Sequence, residues 1–172
     1  MDKCDHLKFI IERFDHYYDA ANSKGSFYIA LNTFILGGIC VGYLSLLGKV
    51  NMNWMGWLLA ASLMAFCFAS VYFTVMALIP FLKDNGEPNA HPSLLYFGGI
   101  ARHELQHFRE KIDRLDENAI KEDLTKQAHC LSQGLKKKYD KLKHAGWCII
   151  AQFLILLPLL LFIFKNLTHE NV

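Results

Sequence analysis

The chain has 172 residues, of which 53% are hydrophobic and 20% charged, and its formal net charge is +2. This length leaves room for one ordinary domain or for a few membrane spans with a small head, and it excludes a chain of many domains. A soluble domain can have the same averages, so the distribution of the residues along the chain has to decide between the two classes.

The first segment, residues 1–25, is predicted to be an amphipathic helix, because its apolar residues recur in steps of three and four between Leu7 and Ala21. Five acidic residues and the lack of a small-residue cleavage site argue against a signal peptide. Only Gly25 interrupts the pattern, so we expect a nearly continuous helix from this segment into the first span.

Three long stretches without Asp, Glu, Lys or Arg predict an all-α integral membrane protein with three transmembrane helices. A span needs about 20 apolar residues to cross roughly 30 Å of hydrocarbon, and each stretch is long enough. All three tryptophans lie at the ends of these stretches, where indole rings prefer the interface. The predicted spans are Ser26–Leu47, Trp54–Leu82 and Trp147–Phe164.

The segment 83–145 is predicted to form a small cytosolic head from extensions of the spans. Turn formers in residues 84–91 and Pro80 end the second span. The compact apolar run 93–100 precedes a short helix over His103–Leu115 and a long one from Glu117 to Phe164. The predicted organisation is a cytosolic helix (1–25), two spans (26–82), a ligand-sensing segment (83–145), and a third span with a short tail (146–172).

The basic residues predict the orientation. Four Lys and Arg lie in residues 1–25 and twelve in 83–145, against one in the loop 48–53 and one in the tail. Because loops rich in Lys and Arg stay in the cytosol, the N-terminus and the 83–145 segment should face the cytosol.

Polar residues occur at one level in the three spans. Counted from the predicted cytosolic ends, Asn32, Thr74 and Gln152 each lie about 10 Å inside by helix rise. Two interpretations remain open: hydrogen bonds that hold a helix bundle together, and a polar ring that lines a water-filled path.

Small residues in the first two spans favour close helix approach. Gly38 and Gly42 form a GxxxG pair, and Ala61, Ala65 and Ala69 form a ladder. Packing within one chain and packing between copies both explain them. Since three spans are too few to enclose water, a pore implies a closed homo-oligomer, for which we expect a tetramer.

The long helix carries a basic stripe that predicts a site for a phosphate-bearing ligand. Lysines close to the membrane can also contact anionic lipid head groups, which leaves a second interpretation open. Lys126 to Lys141 spans about 22 Å, enough to follow an oligonucleotide backbone, and nearby aromatic rings can stack on bases. The candidate ligand-binding residues are Tyr96, Phe97, Arg102, Lys126, His129, Lys137, Lys138, Tyr139 and Lys141.

One motif has an enzymatic interpretation. His103-Glu104-Leu105-Gln106-His107 matches HExxH, in which two histidines bind zinc and the glutamate acts as general base. No third ligand is evident and the head is small for a protease cleft, so we expect no catalytic residue, no metal and no cofactor. The five cysteines have no zinc-type spacing and are predicted to be buried small apolar residues.

Three blocks resemble one known family: DAANSKGSFYIALN before and within the first span, SLLYFGGIA in the head, and EDLTKQAHCLSQGLKKKYDKLKHAGW leading into the last span. The order of these parts is similar to that of the Pycsar-effector transmembrane family. The resemblance implies a small membrane effector of bacterial anti-phage defence in the inner membrane. It also implies a partner enzyme encoded nearby, a nucleotidyltransferase or cyclase, whose nucleotide product the effector answers.

These observations predict a homo-oligomeric channel or pore, regulated by a nucleotide or short oligonucleotide, that depolarises the membrane and arrests growth. Two alternatives remain: a small membrane zinc metalloprotease, and a non-conducting anchor that recruits a soluble partner through its head.

Overall fold

The computed structural model describes residues 2–46, 53–79 and 93–169. The first helix, α1, covers Lys3–Leu46 without interruption. Its 44 residues join the amphipathic N-terminal segment to the first apolar stretch, as the sequence predicts. The predicted end of this span at Leu47 lies outside the described residues. Gly25 does not break the helix. It faces α2, and a Cβ at Gly25 would lie 2.8 Å from Leu78 Cδ2.

Helix α2 spans Trp54–Leu78 and begins at a side-chain cap. Asn53 accepts a hydrogen bond from the Gly56 N–H at 3.0 Å through its side-chain oxygen, which satisfies one of the donors that a helix N-terminus leaves open. The predicted continuation of this span to Leu82, the role of Pro80 and the turn over residues 84–91 lie outside the described residues.

Two short helices follow in the head, α3 (Phe97–Ile100) and α4 (Leu105–Asp113). The predicted helix over His103–Leu115 is therefore two residues too long at each end. His103 precedes the helix and Glu104 occupies its N-cap with an extended backbone, φ −64° and ψ 146°. The difference arises because the apolar stripe that predicted this helix begins only at Leu105.

The last helix, α5, covers Glu117–His169 without a break. It starts where the acidic pair at residues 116 and 117 predicts, since negative charge is favourable at a helix N-terminus. Pro158 lies inside it and removes one backbone donor from the helix. The described residues contain five helices and no strand, which confirms the all-α prediction.

In the described part of the chain, three helices are long and apolar enough to cross a membrane: α1, α2 and α5. The chain divides into two compact units, which we call the head unit (Met1–Ala20 with Pro80–Lys137) and the membrane unit (Ala21–Ile79 with Lys138–Val172). Both α1 and α5 contribute residues to each unit. In the membrane unit, Ala21, Ala77 and Leu142 form a tight buried cluster against which Tyr28 packs.

Candidate functional site

Asn32 lies at the centre of a hydrogen-bonded cluster inside the membrane unit. Its side chain is fully buried, and its Nδ2 donates to Ser70 Oγ on α2 at 3.0 Å and to the backbone oxygen of Tyr28 at 2.7 Å. The hydrogen bond to a neighbouring helix thus offsets the free-energy cost of burying the Asn32 amide in an apolar span.

Gln152 joins the third helix to this cluster. Its Nε2 donates to Asn32 Oδ1 at 2.9 Å and to the backbone oxygen of Phe66 at 3.1 Å, so one amide of α5 contacts both α1 and α2. The Oε1 of Gln152 is buried and has no hydrogen-bond partner among the described residues. A buried acceptor without a donor carries a free-energy cost of about 1–3 kcal/mol.

Ser70 and Thr74 complete the cluster on α2. Ser70 Oγ accepts from Asn32 and donates to the backbone oxygen of Ala145 at 3.2 Å, while Thr74 Oγ1 donates to the oxygen of Ser70 at 2.8 Å within its own helix. All four side chains are fully buried. We call them the polar layer: Asn32, Ser70, Thr74 and Gln152.

Ser70 is the member that the sequence prediction missed. The prediction chose Thr74 by counting residues inward from Pro80, and Ser70 lies one helical turn further along the same face. The spacing of four between the two hydroxyls was the signal that could have found it. Ser70, and not Thr74, contacts Asn32, because the Thr74 hydroxyl donates its hydrogen bond to the backbone of α2.

The sequence left two interpretations of these polar residues open. In the single chain, they form hydrogen bonds between helices. Asn32, Thr74 and Gln152 are each 0% exposed. Their predicted role as pore-lining residues concerns an assembly of several copies and stays a prediction. In the single chain, a water path along these groups requires the three helices to move apart.

Among the described residues, most small residues of the first two spans make no close contact with another helix, although Ala69 is half-buried. A Cβ built at Gly38 or at Gly42 meets no described atom within 4 Å, and Ala61 and Ala65 are exposed. The predicted close approach at these positions therefore does not occur between helices of one copy in the described structure.

In the head unit, the turn before α3 is anchored to α5. The Leu94 N–H donates to Asp123 Oδ2 at 2.9 Å, and Ser93 Oγ accepts from the N–H groups of Leu95 and Tyr96 at 3.1 Å each. Gly99 lies against the Ser93 backbone, where a side chain would collide with it. This places the candidate Tyr96 beside the first turns of the long basic helix.

Two residues of the predicted basic stripe make local contacts on α5. Lys126 Nζ lies 2.6 Å from Glu122 Oε1, and this hydrogen bond and the Glu122 charge raise the pKa of Lys126. The His129 ring nitrogen Nε2 lies 2.9 Å from Gln133 Nε2. Both side chains are exposed and remain accessible to a ligand.

The other candidate residues divide between the two units. Arg102 and Lys137 are exposed in the head unit, and the side chain of Phe97 lies outside the described part of the chain. In the membrane unit, burial lowers the pKa of Lys138, and Tyr139 is 37% exposed. The structure does not gather all nine predicted ligand residues within one unit.

Lys141 has a structural role in the membrane unit. Its Nζ donates to the backbone oxygen of Met76 at 2.8 Å, in the last turn of α2. A cation at this position satisfies a carbonyl that the helix leaves open and interacts favourably with the negative end of the helix dipole.

The HExxH residues do not share a helix in the described structure. The rings of His103 and His107 are stacked with centroids 6.2 Å apart, but His103 lies before α4. Partial burial and the positive charges of Lys111 and His107 lower the pKa of His103. No third protein ligand accompanies the two histidines among the residues described.

One other group has the composition of a metal site. Ligand atoms of Asp2, Cys4 and Glu117 lie within 4.8 Å of one another in the head unit. Both carboxylates are exposed, and Asp2 Oδ1 accepts from the Lys3 N–H at 2.6 Å. The Asp2 contact is a local one with the backbone of the next residue.

Comparison with known proteins identifies the family. A family model described as the Pycsar effector protein domain matches residues 6–165, which is nearly the whole chain and confirms the resemblance found in the sequence. No curated protein and no solved structure matches. Pycsar effectors act with a cyclic nucleotide signal from a nearby cyclase. The chain therefore belongs to the Pycsar effector family and is a multi-pass membrane effector of anti-phage defence.

Proposed function

We propose that this effector assembles into a homo-oligomeric channel or pore that a nucleotide controls from the cytosolic side, and that its opening depolarises the membrane and arrests growth. The observation that carries the proposal is the polar layer, in which side chains of all three spans exchange hydrogen bonds at 0% exposure. Polar groups at this depth are costly in hydrocarbon and are typical of ion pathways.

Opening replaces internal hydrogen bonds of the polar layer by water. The Gln152 Oε1 has no partner among the described residues, so hydration of the layer gains a hydrogen bond that the closed arrangement lacks. This gain offsets part of the cost of separating Asn32 from Ser70. The layer is therefore suited to two arrangements of similar free energy. A ligand that binds one of them more tightly can shift the equilibrium between them.

The small residues of the first two spans support the proposed assembly. A Cβ at Gly38 or Gly42 would meet no atom of the described ranges within 4 Å, and Ala61 and Ala65 are exposed. Small residues let helices approach closely in a bilayer, where packing rather than hydrophobic burial drives association. Copies of the chain are suitable partners for these faces, and four copies remain our expectation.

The ligand is a nucleotide messenger, bound through its phosphate by exposed basic residues of the head unit. Lys126 and His129 are exposed, and Lys137 lies further along the same helix. The family's cyclic nucleotide signal supports this assignment, and the messenger-forming cyclase or nucleotidyltransferase is the expected partner enzyme. A ligand held on α5 can shift the spans only if it prefers one arrangement of them.

We propose that the N-terminus and the head face the cytosol, with the spans in the bacterial inner membrane. Support comes from the excess of Lys and Arg in residues 1–25 and 83–145. This orientation gives the head access to a cytosolic messenger. We also propose that the protein performs no catalysis itself.

Ion flux from liposomes tests the channel proposal. The double variant Asn32→Leu with Gln152→Leu removes the amides of the layer and is expected to lose most ligand-dependent flux. Thr33→Val is the matched control, since Thr33 is exposed in the same span and its hydroxyl donates only to Ile29. Unchanged flux in a folded double variant removes the polar layer from the mechanism.

Expression in cells separates the channel from the anchor alternative. Co-expression with a nucleotide cyclase is expected to depolarise the membrane, as reported by a voltage-sensitive dye, and the Asn32→Leu and Gln152→Leu double variant should leave the potential intact. A non-conducting anchor predicts no change of potential in either case.

A further inference from the structure

A depression of about 290 Å³ lies on the membrane unit between α1 and α5, lined by Tyr28, Lys143, Gly146, Trp147, Ile149 and Ile150. It exists because Gly146 has no side chain. A Cβ built there would lie 3.1 Å from the Tyr28 hydroxyl oxygen, so a larger residue would occupy the space beside that hydroxyl.

Donors and positive charge surround one end of this depression. Lys143 is exposed at its edge, and Lys24 Nζ lies 5.8 Å from the centroid of the Tyr28 ring. Neither lysine pairs with a carboxylate in the described ranges, and the Tyr28 hydroxyl has no hydrogen-bond partner there. The end of the depression near Tyr28 is therefore able to bind an anion.

The opposite end is apolar. Lys143 is the last basic residue before the uncharged stretch of α5, Trp147 lies at the start of that stretch, and Ile149 and Ile150 lie within it. Indole and lysine side chains prefer the level of the lipid head groups, and isoleucines prefer acyl chains. The lining thus changes from cationic to apolar in the direction in which a phospholipid changes from head group to tail.

We propose that this depression is a binding site for an anionic phospholipid of the cytosolic leaflet. Lys143 neutralises the phosphodiester, and Lys24, beside the Tyr28 ring but outside the lining, adds positive charge nearby. The Tyr28 hydroxyl and the Trp147 indole N–H are the hydrogen-bond donors. The start of the acyl chain lies against Ile149 and Ile150. The proposal does not rest on channel activity, because it concerns a site on the outer surface of one copy.

A phospholipid suits this site better than a soluble nucleotide, although both offer a phosphate. Half of the lining consists of Gly146, Ile149 and Ile150, which provide no donor for a base or a ribose. Ile150 is exposed and in a bilayer can contact acyl chains, which complete the apolar contact.

Quenching of Trp147 by brominated lipids tests the proposal in the full-length protein. In a Trp54→Phe and Trp57→Phe background, Trp147 is the remaining tryptophan. We expect brominated phosphatidylglycerol to quench it at a lower mole fraction than brominated phosphatidylcholine, with a selectivity on the order of tenfold. Equal quenching by the two lipids would overturn the proposal.

Three substitutions locate the selectivity. Lys143→Gln should lower it by about fivefold, the contribution of one lysine near an anionic surface. Gly146→Leu should abolish the lipid selectivity, because the leucine side chain fills the depression while both lysines are retained. Lys136→Gln, an exposed lysine of the same helix that does not line the depression, should leave it unchanged. An equal loss in Lys136→Gln would show that only diffuse surface charge is at work.

Folding and ligand source are controlled in the same samples. Circular dichroism confirms that each variant is helical, and Lys143→Gln carries the test if Gly146→Leu does not fold. Adenosine monophosphate at millimolar concentration should leave the quenching by phosphatidylglycerol unchanged. Displacement of the lipid by this soluble phosphate would assign the depression to a nucleotide and overturn the lipid proposal.

Discussion

The polar residues of the membrane unit and the charged residues of the head unit follow opposite rules. In the membrane unit, Asn32, Ser70 and Gln152 are fully buried and bond across helices. In the head unit, Lys126 and His129 are exposed, and each contacts a residue four positions away on its own helix. The buried polar residues of the membrane unit stabilise the fold, whereas the exposed residues of the head unit remain accessible to a ligand.

This difference predicts how substitutions act. Removal of a buried amide leaves its partners without hydrogen bonds, so its effect should appear first in folding or in conduction. Removal of an exposed lysine costs the fold little, because surface ion pairs contribute little to stability. Its effect should appear in ligand binding.

The largest expected effect concerns binding of the messenger. Substitution of Lys126 and Lys137 by glutamine should weaken binding of the nucleotide messenger on the order of 100-fold, because each lysine loses a hydrogen bond to a charged group of the ligand. Isothermal titration calorimetry at two salt concentrations measures this loss and the reduced salt dependence that accompanies it.

Lys121→Gln with Lys136→Gln is the matched control, since it removes two charges from the same helix but outside the predicted stripe. If both double variants lose affinity equally, the head acts through its overall charge and has no defined basic site. If Lys126→Gln with Lys137→Gln binds normally, the site lies elsewhere in the chain.

The next largest effect concerns the stability of the membrane unit. Asn32→Ala removes the donor to Ser70 and the acceptor for Gln152, and it should destabilise the bundle by about 1–3 kcal/mol. Unfolding in mixed micelles of increasing SDS content, followed by circular dichroism, measures the change. Thr33→Val should remain within about 0.5 kcal/mol. Similar values for both variants would show that the layer does not hold the bundle.

A smaller effect is expected at the end of α2. Lys141→Met keeps the aliphatic stem but removes the ammonium that donates to the Met76 oxygen, and should cost about 1 kcal/mol in the same assay. Lys136→Met is the control. A cost no larger than that of the control would place Lys141 among the ligand-accessible lysines of the stripe.

The smallest effect concerns titration of the head. The pKa of His103 should lie below its ordinary value of 6.5, because partial burial and the nearby charges of Lys111 and His107 oppose its protonation. Any stability that the neutral ring contributes is present above this ordinary value and decreases as the pH falls through it. In NMR titrations, Lys111→Gln should raise the His103 midpoint. An unchanged midpoint would remove Lys111 as a cause.

The sequence predicts the helices and spans well, because their signals are local. The apolar steps of three and four before residue 25, the stretch without charge from residue 25 to 48 and the absence of proline are enough to predict α1. The stripe leading into Trp147 predicts α5. The level of Asn32 and Gln152 is predictable too, since helix rise converts residue counts into depth.

Partners and accessibility are less predictable. The choice of Ser70 over Thr74 depends on how α1 and α2 face each other, and a residue count does not contain that rotation. The start of α4 depends on the extended backbone at Glu104, which the spacing of the HExxH motif does not reveal. The ligand site depends on atoms of a messenger and of neighbouring copies, so its residues remain predictions from charge.

Pro158 has a consequence for the mechanics of the third span. Its ring has no N–H to offer the carbonyl of Leu154, one turn earlier, so the ladder of backbone bonds is interrupted there. A helix bends most easily where a backbone hydrogen bond is missing. Torque applied at the N-terminal end of α5 should therefore reach Gln152 before it reaches the weakened turn at Pro158, and the segment that follows Pro158 should be able to move separately.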